Sequence, residues 1–292
     1  MEGDEVTSAF TAMLRARWAD GKFICIGLDS DPDRLPLSCR SVVDFNTGII
    51  EATALLACAF KFNIAFYPGA MGRRALAESC GAVRRAAPGV PIILDAKRGD
   101  IGNSNGGYVA EAFGEFDADA VTVSPYLGGE ALEPFLRIKE KGIFVLCRTS
   151  NPGAAEFQDR HVLVGGGAMA LYEYVALRVC EWNLHGNCAV VVGATAPEPL
   201  RRVRGVVGNM PILVPGIGAQ AGSLEAVLAA GLTAHGDGLL INASRSIIFA
   251  SGGADFANAA RSEATELHKT VAAFRRAGWP SSNEEPSQVR RG

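Results

Sequence analysis

The sequence predicts a single-domain (β/α)₈ TIM barrel that is preceded by a capping helix. Eight short apolar or β-branched segments recur along the chain, helical patterns separate them, and a length of 292 residues suits one barrel. Strands that alternate with helices form a parallel sheet, because each helix returns the chain to the start of the next strand. An open doubly wound sheet is the alternative, but no Gly-x-Gly-x-x-Gly sequence follows the first strand.

An amphipathic helix is predicted over Asp4–Ala19, and we expect it to cap one end of the barrel. Its apolar residues recur at helical spacing: Val6, Phe10, Met13, Leu14 and Trp18. The eight predicted strands follow: Phe23–Asp29, Ala59–Phe66, Pro91–Lys97, Ala120–Ser124, Gly142–Thr149, Ala189–Ala194, Pro211–Gly216 and Gly238–Ser244. The helices predicted between them include Ser41–Ala57, Ala70–Ala87, Gly129–Glu140 and Gly167–Trp182.

The end of the chain differs in composition from the rest. After about Ala277 the residues are polar and show no periodicity. We therefore assign residues 1–276 to the barrel and residues 277–292 to a polar tail or linker. A linker at this position predicts that the chain was cut from a longer, fused protein.

Composition and charge exclude several classes of protein. With 28 basic and 31 acidic residues and a net charge of −3, the chain lacks the electrostatic footprint of a nucleic-acid-binding protein. No apolar run is long enough to span a membrane, and the acidic N-terminus lacks the apolar core of a secretory signal. Seven cysteines without a Cys-x-x-Cys motif predict a reducing, cytoplasmic location. The four histidines show no metal-ligand spacing, so no metal site is expected.

Charged residues follow three neighbouring predicted strands. Asp95 and Lys97 lie two apart at the end of a strand, so their side chains point to the same side. The same alternation directs Lys61 and Asp29 into the barrel mouth, and the next loop adds Asp100. Burying such charges is costly, and folds seldom require it, whereas active sites often do. The alternative is a salt-bridge network that only plugs the barrel top.

The far side of the predicted barrel mouth suits a phosphate group. A glycine-rich segment, residues 215–222, follows the seventh strand, and Arg245 follows the eighth. Loops at these two positions are the usual phosphate site of this fold, since backbone N–H groups and an arginine can bind the anion. Between the two poles, Ser150 and its neighbours follow strand five and offer hydrogen-bonding groups for a polar ring, although Ser-Asn-Pro-Gly is also simple turn chemistry.

Taken together, these motifs closely resemble the orotidine 5′-phosphate decarboxylases. The resemblance runs from about Phe23 to Phe249, nearly the whole barrel. Its most specific parts are Asp95-x-Lys97-x-x-Asp100-Ile101 with Lys61, the Gly-x-Gly-x-Gln motif that ends at Gln220, and Ser244-Arg245-Ser246. The stretches Leu-Asp-Ala-Lys-Arg-Gly-Asp-Ile and Ser-Asn-Pro-Gly-Ala are similar to the second, largely bacterial sequence group of the family.

The resemblance implies a role for each matching residue. Asp29 and Lys61 would hold the ribose hydroxyls, Asp95 would face the carboxylate of the substrate, and Lys97 would donate the proton to pyrimidine C6. Asp100 and Ile101, with Ser104 nearby, would be contributed across a dimer interface to the partner's site. Ser150 would contact the pyrimidine, and Gln220 and Arg245, with Ser244 beside them, would bind the phosphate. The Gly- and Asn-rich segment 102–107 is a weaker helix start than this arrangement leads us to expect.

The implied reaction converts orotidine 5′-phosphate to UMP and CO₂ without a metal or an organic cofactor, in a homodimer with shared active sites. In some organisms this activity is fused to orotate phosphoribosyltransferase, so a fused or lost partner domain is a hypothesis for this chain. One rival is a Mg²⁺-dependent sugar-phosphate decarboxylase or aldolase, but the next strand ends Val121–Pro125 without a carboxylate ligand. A second rival is a non-catalytic nucleotide-binding barrel, which would normally have lost one of the four charges.

Overall fold

A closed barrel of eight parallel strands forms the centre of the computed structural model, which describes residues 7–217 and 223–278. Around the barrel the strands follow chain order, and a hairpin made of β6 and β7 lies outside it. The described strands are β1 (Ile24–Gly27), β2 (Ala57–Asn63), β3 (Ile92–Arg98), β4 (Ala120–Val123), β5 (Gly142–Arg148), β6 (His161–Val164), β7 (Gly167–Ala170), β8 (Cys188–Val192), β9 (Ile212–Pro215) and β10 (Leu239–Ala243). The predicted fold class is confirmed, and each predicted strand overlaps one barrel strand.

Helices surround the barrel and connect consecutive strands. They are α1 (Ala9–Ala19), α2 (Val42–Thr53), α3 (Gly69–Ala86), α4 (Gly102–Val109), α5 (Gly129–Leu136), α6 (Ala154–Phe157), α7 (Leu171–Trp182), α8 (Pro197–Val207), α9 (Leu224–Gly231), α10 (Arg245–Ile248) and α11 (Phe256–Gly278). Helix α4 continues directly into a π-helical segment, Ala110–Glu115. Helices α2 and α5 end earlier than the sequence patterns predicted, because the final residues form the turns that lead into β2 and β5.

The hairpin β6–β7 corrects one prediction. Residues 167–182 were expected to form one helix, but residues 167–170 form β7, and α7 begins only at Leu171. Gly165 and Gly166 both have positive φ angles, 58° and 84°, which a tight two-residue hairpin turn requires and which favour glycine. The helical pattern of α7 hid the short strand β7, which lies between this turn and the helix.

Helix α1 closes the end of the barrel at which the strands begin. Phe10 is 1% exposed and packs edge-to-face on Phe144, with ring centroids 5.6 Å apart. It also lies against Gly142, the first residue of β5, where a Cβ atom would collide with its ring. Trp18 Nε1 donates a hydrogen bond of 2.9 Å to the carbonyl of Leu239, the first residue of β10. The opposite end, where the strands finish, is the end that stays open for a site.

Truncation of Phe10 tests this closure. We expect Phe10→Ala to lower the free energy of unfolding by about 3–5 kcal/mol, because it leaves a cavity between α1 and the barrel floor. Urea unfolding monitored by circular dichroism measures the change. Phe157→Ala is the matched control, because Phe157 is 63% exposed and its loss should cost less than about 0.5 kcal/mol. A cost below about 1 kcal/mol for Phe10→Ala would contradict the closure.

Candidate active site

Four charged side chains form a row across three adjacent strands at the open end of the barrel. Lys61, on β2, is 3% exposed, and its Nζ lies 3.1 Å from Asp95 Oδ2 and 3.6 Å from Asp29 Oδ1. Lys97 Nζ lies 2.7 Å from the other oxygen of Asp95. The charges therefore alternate in the order Asp29, Lys61, Asp95, Lys97, and Asp95 is held between two ammonium groups.

A bulge in β3 brings Lys97 back onto Asp95. Along the β3–β4 pairing, Leu94 lies opposite Val121 and Arg98 lies opposite Val123, so β3 has two extra residues in this interval. Lys97 has a φ of 48°, in the left-handed region that side-chain-bearing residues seldom adopt. Residues held in this region cluster at functional sites, where the surrounding structure supports the strain.

Thr122 on β4 joins the two halves of the bulge. Its Oγ1 donates a 2.9 Å hydrogen bond to Asp95 Oδ1 and accepts one of 2.9 Å from the backbone N–H of Lys97. One hydroxyl thus fixes both the carboxylate and the backbone of the lysine that follows it. The strand β4 therefore contributes to the site through a neutral residue.

The charges of Lys61 and Asp95 support each other although both side chains are largely buried. Burial raises the pKa of Asp95, but the ammonium groups of Lys61 and Lys97 outweigh this effect and hold that pKa well below its usual range. Burial lowers the pKa of Lys61, but Asp95 and Asp29 outweigh it and raise that pKa above the ordinary value for lysine. At neutral pH this pair therefore presents a fixed cation beside a fixed anion.

A cavity of about 200 Å³ lies beside this row and connects it to the ends of β5, β9 and β10. Its lining residues are Asp29, Lys61, Asn63, Asp95, Ser150, Pro215, Gly216, Ile217, Asn242, Ser244, Arg245 and Ser246. Six residues singled out in the sequence are among them: Asp29, Lys61, Asp95, Ser150, Ser244 and Arg245. Lys97 is not among the lining residues, but its ammonium contacts Asp95, which is.

Two clamps fix the loop that carries Ser150. Arg148, the last residue of β5, makes two 3.0 Å hydrogen bonds to the carboxylate of Asp159. Gln158 Oε1 accepts a 2.8 Å hydrogen bond from the backbone N–H of Thr149. On the other side, Gly193 leaves room for Ser150, because a Cβ atom there would lie 2.6 Å from Ser150 Cβ. The hydroxyl of Ser150 is therefore held on the wall of the cavity.

Arg245 begins α10 on the far side of the cavity. Its side chain is exposed, and no carboxylate within residues 7–217 and 223–278 forms an ion pair with it. Ser244 precedes it and faces Gly27, where a Cβ atom would collide with Ser244 Oγ. Gly216, with a φ of 100°, directly follows β9 nearby. These groups can bind an anion, whereas Gln220 lies outside the described residues.

Three predicted residues lie away from this cavity within one subunit. Asp100 is absent from the ion pairs of the described residues, and its Oδ1 accepts a 2.7 Å hydrogen bond from the backbone N–H of Ile101. Ile101 is 64% exposed, and Ser104 lines a separate hollow on α4. The buried Asn105 holds this loop, because its amide bonds both the N–H and the carbonyl of Asp100. This contact supports the glycine-rich start of α4, which has no side-chain cap.

Sequence reasoning missed three residues of the site. Asn63 and Asn242 line the cavity, and both could have been found by strand alternation, since each lies two residues from a predicted site residue. The Oδ1 atom of Asn242 is buried without a hydrogen-bond partner among the described residues. Ser246, the last residue of the Ser244-Arg245-Ser246 motif, also lines the cavity. Thr122 had no signal, because a threonine in a buried strand is ordinary.

The described part of the chain contains neither a metal-binding cluster nor a membrane-spanning helix. In residues 7–217 and 223–278, no group of three or more His, Cys, Asp or Glu side chains is arranged to hold a metal ion. In the same residues, no helix combines the length and the apolar character that crossing a bilayer requires.

A charged cavity with an anion-binding wall, at the carboxyl ends of the strands, defines an enzyme of the (β/α)₈ barrel class. Residues 22–261 match the sequence profile of the orotidine 5′-phosphate decarboxylase / HUMPS family. The chain belongs to this family.

Similar proteins cover nearly the whole chain. An orotidine 5′-phosphate decarboxylase of Azoarcus sp. (strain BH72) is 46% identical over 272 residues, which are 91% of this chain and 99% of that protein. The structure of the Leishmania donovani OMP decarboxylase is 40% identical with a TM-score of 0.78, covering 92% of this chain and 99% of that one. The structure of the Leishmania donovani UMP synthase is 41% identical with a TM-score of 0.80, and the match covers 93% of this chain but 57% of that one.

The ionisation of Asp95 gives a direct test of the site. An Asp carboxyl ordinarily titrates near pH 3.9, so we expect the Asp95 carboxyl to remain ionised well below that pH. Because the folded pKa is lowered, its stabilising contribution is complete above about pH 4 and is lost only as the pH falls through the lowered value. The ¹³C chemical shift of the Asp95 carboxyl carbon measures this titration. Lys61→Met should raise the midpoint, and a wild-type midpoint near pH 4 would contradict the described geometry.

Proposed function

We propose that the protein decarboxylates orotidine 5′-phosphate to UMP and CO₂, the last step of de novo pyrimidine nucleotide synthesis, without a metal or an organic cofactor. The main support for the proposal is the row Asp29–Lys61–Asp95–Lys97 beside a cavity that the exposed Arg245 lines on its far side. The Azoarcus relative is named for this activity, and 99% of its length aligns with this chain.

The substrate would lie across the cavity from Arg245 to Asp95. Arg245 and Ser244, with Gln220, would bind the phosphate, because a guanidinium pairs with phosphate oxygens in a fixed geometry. Asp29 and Lys61 would bind the ribose hydroxyls. Ser150, fixed on the cavity wall, would hydrogen-bond the pyrimidine. This orientation directs the carboxylate on C6 towards Asp95 and Lys97.

The chemical problem is a carbanion that the ring cannot delocalise. When the bond between C6 and the carboxylate breaks, its electron pair stays on C6 and CO₂ leaves. The ammonium of Lys97 would stabilise that charge because it is already fixed in place and requires no reorganisation. Lys97 would then transfer a proton to C6 to give UMP and be reprotonated from solvent.

Asp95 would contribute in two ways. Its carboxylate, 2.7 Å from Lys97 Nζ, holds the ammonium in position. It would also face the carboxylate of the bound substrate. Two such anions at ~4 Å repel by ~4 kcal/mol at an effective dielectric constant of ~20, a repulsion that is released when CO₂ departs.

A homodimer with shared sites is part of the proposal. Large apolar side chains are exposed in the segments that follow three adjacent strands: Phe66, Met71, Ile101, Tyr126 and Leu127. An apolar surface made by these segments would suit an interface with a second copy. A second copy of the chain, bound there, would bring its own Asp100 and Ile101 to the rim of the first cavity. Asp100 would thereby add a carboxylate to the Asp95–Lys97 pair that one subunit alone does not supply.

We also assign the activity to the cytoplasm. All seven cysteines are free thiols, and five of them are buried, as in proteins of reducing compartments. Fusion to a phosphoribosyltransferase domain stays a prediction, which the mass of the native protein tests.

Turnover is the decisive test of the proposed reaction. We expect the wild-type protein, in EDTA, to change the ultraviolet absorbance of orotidine 5′-phosphate as UMP forms. Lys97→Ala should lower kcat by at least about 100-fold, since it removes the preorganised cation and the proton donor. Circular dichroism and solution mass of the variant provide the control for folding.

The alternatives give different outcomes. Activity of the folded wild type only after Mg²⁺ is added would favour a sugar-phosphate enzyme instead. Tight UMP binding without any turnover would identify a nucleotide-binding barrel.

Shared sites predict complementation between inactive subunits. Lys97→Ala and Asp100→Ala proteins should each be nearly inactive, but their mixture should regain about a quarter of wild-type activity if the subunits exchange at random. This recovery arises because half of the dimers are then mixed and contain one site with neither substitution. Mixing Lys97→Ala with Asp95→Ala is the matched control, since both changes fall in the same subunit's half of the site if the proposal holds. Mixed dimers without recovered activity would contradict the shared site.

A further inference from the structure

Arg98 follows Lys97 directly and is held by a separate set of contacts. Its Nε and Nη2 atoms donate hydrogen bonds of 3.1 and 2.7 Å to Glu111 Oε2. Its guanidinium also lies over the ring of Tyr108, 4.4 Å from the centroid. A planar guanidinium bound in this way has little freedom to rotate.

Glu111 connects this arginine to the neighbouring helix. Its side chain is 11% exposed and lies in the π-helical segment that continues α4. Its second oxygen, Oε1, accepts a 2.7 Å hydrogen bond from Arg73 on α3. Arg73 in turn pairs with Glu115, which is largely exposed. Arg98, Glu111 and Arg73 therefore form a chain of ion pairs behind β3, and Glu115 is its outermost member.

Two contacts of Arg98 and Gly99 with Ser124 close the bulge at its carboxyl end. The carbonyl of Arg98 accepts a 2.6 Å hydrogen bond from the backbone N–H of Ser124. Gly99 lies so close to β4 that a Cβ atom would come within 2.9 Å of the Ser124 carbonyl oxygen. Thr122 holds the other side of the bulge. The backbone of Lys97, which is left-handed, is thus held by Thr122 on one side and by the contact between Arg98 and Ser124 on the other.

We propose that Arg98 and Glu111 are positioning residues for Lys97: their ion pair locks the β3 bulge and so sets where the Lys97 ammonium lies. Neither residue lines the cavity, so they act on the reaction through the backbone that carries Lys97. The inference rests on the proposed decarboxylation. Geometry of this kind matters because a displacement of about 1 Å in a reacting group can cost about 100-fold in rate.

The test compares Glu111→Gln with Glu115→Gln. Glu111→Gln removes the charge that holds Arg98, whereas Glu115→Gln alters only the outer pair with Arg73. We expect Glu111→Gln to lower kcat by about 10- to 100-fold, with the KM for orotidine 5′-phosphate within about twofold of wild type. Glu115→Gln should leave kcat within about twofold. Arg98→Lys, which keeps the charge but loses the double hydrogen bond, should fall between them.

Binding measurements separate positioning from a general loss of structure. Two ligands are compared by calorimetry: UMP, and a UMP analogue with an anionic oxygen on C6, which mimics the carbanion. A displaced Lys97 should weaken the anionic analogue by the same factor as kcat/KM and leave UMP within about twofold, because only the analogue places charge where the ammonium acts. All proteins are compared at concentrations where their mass in solution equals that of the wild type.

The outcomes separate the two proposals. An active wild type together with a folded Glu111→Gln variant whose kcat is unchanged would overturn the positioning role. Equal weakening of UMP and the analogue would also overturn it. A folded wild type without turnover would overturn the proposed function itself.

Discussion

The burial of the Lys61 ammonium between two carboxylates is the constraint on which the rest of the site depends. An unpaired ammonium at that depth would be far too costly, so Lys61 depends on the side chains of Asp29 and Asp95 beside it. Asp95 lies on β3, on one side of β2, and Asp29 follows β1, on the other side. The pairing thereby ties three strands at the mouth of the barrel, and it leaves Asp95 with one oxygen free to hold Lys97.

The two ends of the barrel differ: the amino end stabilises the fold, and the carboxyl end holds the candidate site. At the amino end, Phe10 and Trp18 of α1 pack against the barrel floor. At the carboxyl end, charged and polar groups face a cavity that apolar packing does not fill. Buried charges and strained backbone are tolerated there because the closed end and the parallel hydrogen-bond ladder hold the strands in place.

The sequence predicted the barrel well, because eight strands with helices between them leave few other arrangements. It also brought Asp29, Lys61 and Asp95 together through strand alternation. For Lys97, the predicted contact with Asp95 is present but the predicted reason was wrong. Simple alternation placed Lys97 beside Asp95, whereas the structure makes the contact through a two-residue bulge and a left-handed backbone. No pattern in a single sequence shows such a bulge. Asp100 was expected in the same row, but its carboxylate bonds its own neighbour, since side-chain direction in a loop does not follow from spacing.

The bulge also bears on how such a site could be transferred or altered. Copying Asp-x-Lys onto the end of a regular strand in another barrel would reproduce the chemical groups without their arrangement, because a regular strand lacks the two extra residues that return the lysine to the carboxylate. A designer would have to graft the bulge with its threonine and arginine anchors as one unit. By the same reasoning, the length of this bulge is a variable that evolution can change independently of the side chains. A change in that length would move the lysine ammonium relative to the carboxylate without altering either side chain.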